Sequence, residues 1–273
     1  MSNTTTFQNK VALVTGAAMG IGEAAARKFA AGGAKVALVD RDVDKGPVLA
    51  GQLKSAGSTV KFYPCDISST DQVTKTVHSI RGDFGGIDVL ISNAGIQRYG
   101  DVVATEEAVW DETLATNLKS CYLVARQVIP SMLSRGGGAI VAVGSVQSIA
   151  AVANSAAYVT AKHGLLGLVR SIALDFAPRK IRANCVLPGA IDTPMLRWAA
   201  SLSPDPNAVI ETCNRMHAMG RIGRAEEVAE AIAFLASDAA SFITGAALMV
   251  DGGMMIPAGG MGFSEGGTGS GSK

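Results

Sequence analysis

Short apolar runs alternate along this chain with longer amphipathic stretches. Residues 11–14, 36–39, 60–63, 89–92, 139–143, 181–187 and 247–250 are brief and rich in Val, Ile, Leu and Ala, and they read as strands. Residues 20–31, 69–84, 110–134, 155–177 and 225–236 carry apolar positions at helical spacing and read as helices. The first helix should stop at Gly32-Gly33, since glycine accepts the left-handed backbone that ends a helix. The strands are continuously apolar, so both faces of their sheet must be covered. Strand and helix in repeated alternation predict an α/β fold, a doubly wound parallel sheet of the Rossmann type, in a single domain.

Two segments break the alternation. Residues 192–221 contain Pro194, Pro204 and Pro206, with no firm helix expected before about Asn207. A long irregular segment beside a strand end is either a substrate-covering lid or a plain surface connection. From residue 257 the chain turns to Gly and Ser, a composition that behaves as flexible linker. The expected layout is therefore a domain over 1–256, including the lid at about 192–221, and a tail over 257–273.

Composition narrows the function classes. With 48% hydrophobic and 17% charged residues the chain is not of the disordered, solvated type. A formal net charge of +1 gives no broad footprint for nucleic acid or acidic lipid. Neither a secretory leader nor an apolar run of the ~20 residues needed to span a bilayer is visible, so a cytoplasmic protein is expected. Cys65, Cys121, Cys185 and Cys213 show no paired spacing, and His78, His163 and His217 share none with acids; no disulfide framework and no metal are expected. Asp83, Asp88 and the other acids do not pair as in a glycoside hydrolase.

The first chemical signal lies between the first strand and first helix. In Thr15-Gly16-Ala17-Ala18-Met19-Gly20-Ile21-Gly22, Gly16 permits a tight turn, Gly20 lets the backbone approach a diphosphate, and Gly22 lets the helix pack close. The unpaired N–H groups at the helix start then face the anion. Asp40 closes the second strand, where a carboxylate accepts hydrogen bonds from a ribose 2′-hydroxyl and repels a 2′-phosphate. That favours NAD over NADP, with Arg41 and Arg27 as the residues able to accommodate the extra phosphate.

The second signal is Tyr158 and Lys162, four apart and so on one helical face. Ser145 precedes Tyr158 by thirteen residues and follows the 139–143 strand, and ligands of open α/β sheets bind off strand C-terminal ends. Taken with Ser92-Asn93-Ala94-Gly95, Asn117 and Pro188-Gly189, these motifs stand in the order of the short-chain dehydrogenase/reductase family, which this chain resembles from about residue 10 to 254. The resemblance implies an NAD(P)-dependent oxidoreductase, commonly a homotetramer, acting on a small-molecule substrate.

By that resemblance Tyr158 is the general acid/base and Ser145 bonds the reacting oxygen. Lys162 holds the nicotinamide ribose and lowers the tyrosine pKa, and Asn117 holds a water that links Lys162 to solvent. An ammonium ~4–5 Å from the phenol at an effective dielectric of ~20 would hold it roughly 2–3 pH units below its free value. Asp66 and Ile67 match the adenine end, and Asn93, Ala94 and Gly95 the adenosine ribose, although Ser92 stands where asparagine is commoner. Met19 replaces an arginine frequent in NADP users, while Pro188, Gly189, Ile191 and Thr193 match the stretch flanking the nicotinamide.

For the substrate, Gln97, Gln147, Asn154 and His217, with Arg98 and Arg197, fall in segments expected near the reacting carbon. So many donors suggest a sugar, sugar acid or polyol. A 3-oxoacyl-thioester reductase and a catalytically silent dinucleotide-binding protein are the alternatives. The helices at 110–134 and 155–177 are apolar around much of their circumference, through Leu118, Cys121, Leu123, Val124, Val128, Leu165, Leu166, Leu168, Val169 and Leu174. They are expected to pack against their copies about a two-fold axis.

Overall fold

The computed structural model describes residues 6–256. Seven parallel strands form one sheet: β1 (Val11–Thr15), β2 (Lys35–Asp40), β3 (Val60–Pro64), β4 (Val89–Ser92), β5 (Gly138–Val143), β6 (Ile181–Pro188) and β9 (Ala247–Val250). Their spatial order is β3-β2-β1-β4-β5-β6-β9. The pair β7 (Ile191–Asp192) and β8 (Gly223–Arg224) makes a small separate sheet. The predicted doubly wound Rossmann fold is what the chain adopts.

Side-chain alternation explains why the strands are apolar throughout. Ala12, Val14, Val36, Leu38, Val141 and Val143 face one layer, built by α1 (Gly20–Ala31), α2 (Lys45–Ser55) and α9 (Ala225–Ala236). Leu13, Ala37, Val39, Leu90, Ile140 and Ala142 face the other, built by α3 (Thr70–Phe84), α5 (Ser120–Ser134) and α6 (Ala156–Phe176). In α1 the buried face is Ala24, Ala25, Ala26 and Phe29, small enough for α9 to pack closely.

Four features differ from the sequence reading. Helix α2 was not foreseen; its Pro47 falls in the first turn, where no N–H is required of it. The expected helix at 110–134 is three pieces: α4 (Glu107–Leu114), a wide five-residue π turn (Ala115–Lys119) and α5. Residues 192–221 are more ordered than expected, with α7 (Pro194–Ser201) before α8 (Pro206–Met216). Each begins with proline at its first position, preceded by a capping side chain, Thr193 or Asp205. Finally, one chain alone buries most of the apolar surface of α5 and α6. Cys121, Leu123, Val124, Val128, Leu165, Leu166 and Val169 are buried, and of α6's large apolar side chains only Leu174 is fully exposed. The tail at 257–273 lies outside the described residues. No helix among those described is long and apolar enough to cross a membrane.

Asp88 fixes the end of the sheet opposite the strand C-termini. Its carboxylate accepts from Val11 N–H at 2.8 Å and from Arg135 Nε and Nη2 at 2.7 and 2.9 Å. Its own backbone meanwhile bonds Val11 and Ala139, so one residue aligns β1, β4 and β5. Asp88→Ala should lower unfolding stability by about 1–3 kcal/mol, the cost of a buried N–H left without an acceptor. Denaturant titration of the two proteins checks it.

Candidate active site

Strand order reverses between β1 and β4, and the chain leaves in opposite directions above that point. The resulting crevice is a cavity of about 530 Å³. Asp40, Arg41, Asp66 and Ile67 line one end, Gly16, Met19, Gly20 and Ile21 the middle, and Ser145, Tyr158 and Lys162 the other. Asn93, Ala94, Gly95, Pro188, Gly189, Ile191 and Thr193 line it as well, so nearly all the predicted cofactor residues meet in one cleft.

The glycines fit a dinucleotide. Gly16 and Gly20 have left-handed φ of 62° and 60°. A Cβ on Gly22 would lie 2.0 Å from the Gly16 carbonyl oxygen, so the helix can sit this close to the loop only without one. No side chain caps the N-terminus of α1, which leaves its first N–H groups for an anion. Asp40 Oδ2 accepts from Ala18 N–H and Oδ1 from Asp42 N–H, both at 2.9 Å, which ties the loop to β2. Arg27 is held by Glu23 and Gln52, whereas Arg41 is exposed at the cavity edge.

Asn93 and Thr15 close the split between the strands. Asn93 Nδ2 donates to the carbonyls of Thr15 and Gly16, each at 3.0 Å. Thr15 Oγ1 accepts from Asn93 N–H at 3.0 Å and Ala94 N–H at 3.2 Å. The sequence reading assigned Thr15 no task; its only signal was its place beside the first glycine.

At the reaction end, Ser145 leaves β5 and caps a short turn, its Oγ accepting from Gln147 N–H at 3.1 Å. One lone pair is used, and the hydroxyl hydrogen is left for the Tyr158 oxygen. Tyr158 and Lys162, both buried, point from α6 toward the same end of β5, where Lys162 Nζ donates to the Val143 carbonyl at 2.8 Å. The expected lowering of the Tyr158 pKa is absent. Burial pushes the phenol up to about 12, against the pull of its hydrogen bond with Ser145. Burial likewise brings Lys162 down to about 8. Its Nζ lies 5.5 Å from the Tyr158 ring centroid, and the neighbouring Cys121 and Cys185 thiols are pushed up by burial, so no anion faces it. Desolvation outweighs attraction.

Asn117 makes two side-chain hydrogen bonds that the sequence did not announce. Its Oδ1 accepts from Ile96 N–H at 2.7 Å and its Nδ2 donates to the Ile96 carbonyl at 2.8 Å. The carboxamide is a clamp on the loop after β4, and one amide hydrogen and one carbonyl lone pair remain on it for further bonds. The π turn sets it there, as such turns often do at functional sites.

Of the expected substrate contacts, Gln97 and Gln147 line the cavity. Asn154 does not: its side chain is exposed, its φ is 56°, and its carbonyl accepts from Gly100 N–H at 2.8 Å, a turn-making role. Nor does His217, which is 4% exposed, with Nδ1 against the Cys213 carbonyl at 2.6 Å and Nε2 accepting from Ala190 N–H at 3.1 Å. Both ring nitrogens are engaged, joining the end of α8 to the segment after β6. Arg98 and Arg197 are drawn into pairs with Glu112 and Asp192. Unforeseen is the stack of Tyr99 on Trp198, centroids 6.3 Å apart and planes at 15°, which joins the post-β4 loop to α7. Among the described residues no cluster of His, Cys, Asp or Glu could hold a metal ion.

A family model described as enoyl-(acyl carrier protein) reductase matches residues 16–255. The chain is 41% identical over 242 residues to a cis-4-hydroxycyclohexanecarboxylate dehydrogenase of Sinomonas cyclohexanicum, covering 88% of this chain and 94% of that one. It is 38% identical to dehydrogenase/reductase SDR family member 6 of Danio rerio, again covering 88% and 94%. The solved structure of Thermoplasma acidophilum aldohexose dehydrogenase superposes with a TM-score of 0.84 at 40% identity, covering 92% of this chain and 96% of that one.

His217→Asn is smaller and cannot reach as far, so it removes the acceptor of Ala190 N–H without overfilling the site. It should cost about 1–2 kcal/mol of stability and raise the KM for the cofactor, since Ala190 lines the cleft. Denaturant melts and cofactor saturation curves measure the two effects.

Proposed function

This chain belongs to the short-chain dehydrogenase/reductase family, and from that premise we propose that it moves a hydride between NAD and a secondary alcohol or its ketone. The observation that carries the reading is the convergence of Ser145, Tyr158 and Lys162 at the closed end of a glycine-floored cleft. The bound nicotinamide supplies or takes the hydride. Tyr158 holds the proton at its hydroxyl and passes it to or from the substrate oxygen. Ser145, one lone pair committed to Gln147 N–H, directs its hydrogen at that same oxygen. Lys162, anchored on Val143, stands beside the phenol and holds the nicotinamide ribose. Asn117 keeps the post-β4 loop in place beneath them.

NAD is the preferred cofactor in this reading because Asp40 presents a carboxylate at the adenosine end, while Arg27 is already bound by Glu23. The resemblance to an aldohexose dehydrogenase and to a cis-4-hydroxycyclohexanecarboxylate dehydrogenase supports a small, ring-sized secondary alcohol as substrate. The paired state of Arg98 and Arg197 speaks against a phosphorylated acyl-thioester entering on free cations. Self-association, a homotetramer by family resemblance, is part of the same proposal. It is supported by exposed Phe234, Phe242 and Met249 around the unpaired edge of β9.

Two outcomes are expected. First, kcat/KM with NAD should exceed that with NADP. Asp40→Asn, which keeps an acceptor for Ala18 N–H but removes the charge, should narrow the gap. A wild-type preference for NADP in initial-rate assays refutes the assignment. Second, alcohol oxidation needs Tyr158 without its proton and ketone reduction needs it present. Because burial pushes the phenol pKa up to about 12, oxidation should climb with pH through the alkaline range, while reduction holds through neutral and moderately alkaline pH and falls only as the pH approaches about 12. Tyr158→Phe should abolish both limbs and lower turnover by at least ~10²-fold; pH–rate profiles in the two directions decide.

A further inference from the structure

The reaction end of the cleft has an uneven chemistry. Val146, Val152, Met195, Ala199 and Met216 give it apolar walls, from the turn after β5 and from α7 and α8. Of the polar side chains predicted to meet substrate, Gln97 and Gln147 alone remain there. Ionised side chains are concentrated elsewhere: Asp40, Arg41 and Asp66 lie at the nucleotide end. Arg98 makes two 3.1 Å bonds to Glu112, and Arg197 bonds of 2.7 and 2.8 Å to Asp192. The one cation among the lining residues at this end, Lys162, spends a hydrogen bond on Val143.

Gln147 is the anomaly. Its Oε1 is buried with no hydrogen-bond partner, one of two such side-chain atoms among the described residues. Buried polar atoms are nearly always paired, and one that is not, in the wall of a ligand cavity, calls for a group that the ligand brings. Rotation about its last side-chain bond lets the amide offer an acceptor or a donor, so it matches a hydroxyl or a carbonyl. It does not neutralise a carboxylate. The Tyr99–Trp198 stack bridges from the post-β4 loop to α7, and Tyr99 itself lines this end.

Resting on the hydride-transfer reading above, we infer that the substrate is an uncharged, compact secondary alcohol or ketone with a largely apolar, ring-sized skeleton. It carries one further hydrogen-bonding group, placed to meet the Gln147 amide. A hexose offers more hydroxyls than this wall can pair, and each one left unpaired costs binding. A carboxylate or a phosphorylated thioester finds no free cation.

The test uses the full chain with saturating NAD, following NADH formation. The substrates are cyclohexanol, the three positional cyclohexanediols, glucose, a hydroxycyclohexanecarboxylate and a 3-hydroxyacyl thioester. At least one diol should show kcat/KM about 10-fold or more above cyclohexanol, glucose and the carboxylate, the discrimination expected of a pocket that reads one hydroxyl. Gln147→Leu, of similar volume, should bring the ratio of that diol to cyclohexanol within about 3-fold of unity. A best substrate that is a hexose, a carboxylate or a thioester overturns the inference while leaving the reaction class standing. An unchanged ratio in Gln147→Leu overturns it as well. Should the variant not fold, the wild-type ranking alone decides. No turnover of any member with NAD or NADP overturns the inference and the reaction class together.

Discussion

Everything at this site depends on how the split between β1 and β4 is held. A doubly wound sheet must send its chain in opposite directions at one seam, which leaves backbone groups there without ladder partners. Thr15 and Asn93 supply them from side chains, five hydrogen bonds across the seam. The seam therefore stays open above and stitched below. The glycine loop hangs from one side of the stitch and the Asn93-Ala94-Gly95 loop from the other. Asn117 holds that second loop in turn through both the donor and the acceptor of Ile96.

Electrostatics at the far end are governed by burial rather than by attraction. Tyr158 and Lys162 are each pushed toward the neutral form, in opposite directions on the pH scale. The pair sits in a region where a charge is costly. Charge arriving with ligands there is met by few competing charges of the protein's own. The fold has moved its surplus ions outward, into Arg98–Glu112, Arg197–Asp192 and Arg221–Glu227.

Much of this was legible in the residues. Continuous apolar strands implied two covered faces, and the cores split between alternate positions of β1 and β2 as they must. Glycines, Asp40, Ser145, Tyr158 and Lys162 meet in one cleft because each marks a strand end or a helix start. What stayed hidden depends on partners distant in sequence. Nothing in Arg98 announces Glu112, and nothing in His217 announces the Ala190 N–H. Asn154 looked like a donor but serves as a left-handed turn residue. Helix α2 went unread, although Pro47 is harmless at its actual position.

The π turn at Ala115–Lys119 carries a consequence for how this chain tolerates change. Each residue of a helix turns the chain by about 100°, so the wide turn sets the phase between α4 and α5. Asn117 stands inside it, and Cys121, Val124, Val128 and Met132 follow with their faces on the sheet. A five-residue π turn advances the chain by nearly the rotation of four α-helical residues, so the extra residue is absorbed as a bulge at Asn117 while the apolar face of α5 stays on the sheet. Here the count of residues matters locally: deleting one would let an α turn close with the core face of α5 still on the sheet, but it would draw Asn117 back into the rod and away from Ile96, losing the clamp while the core is kept.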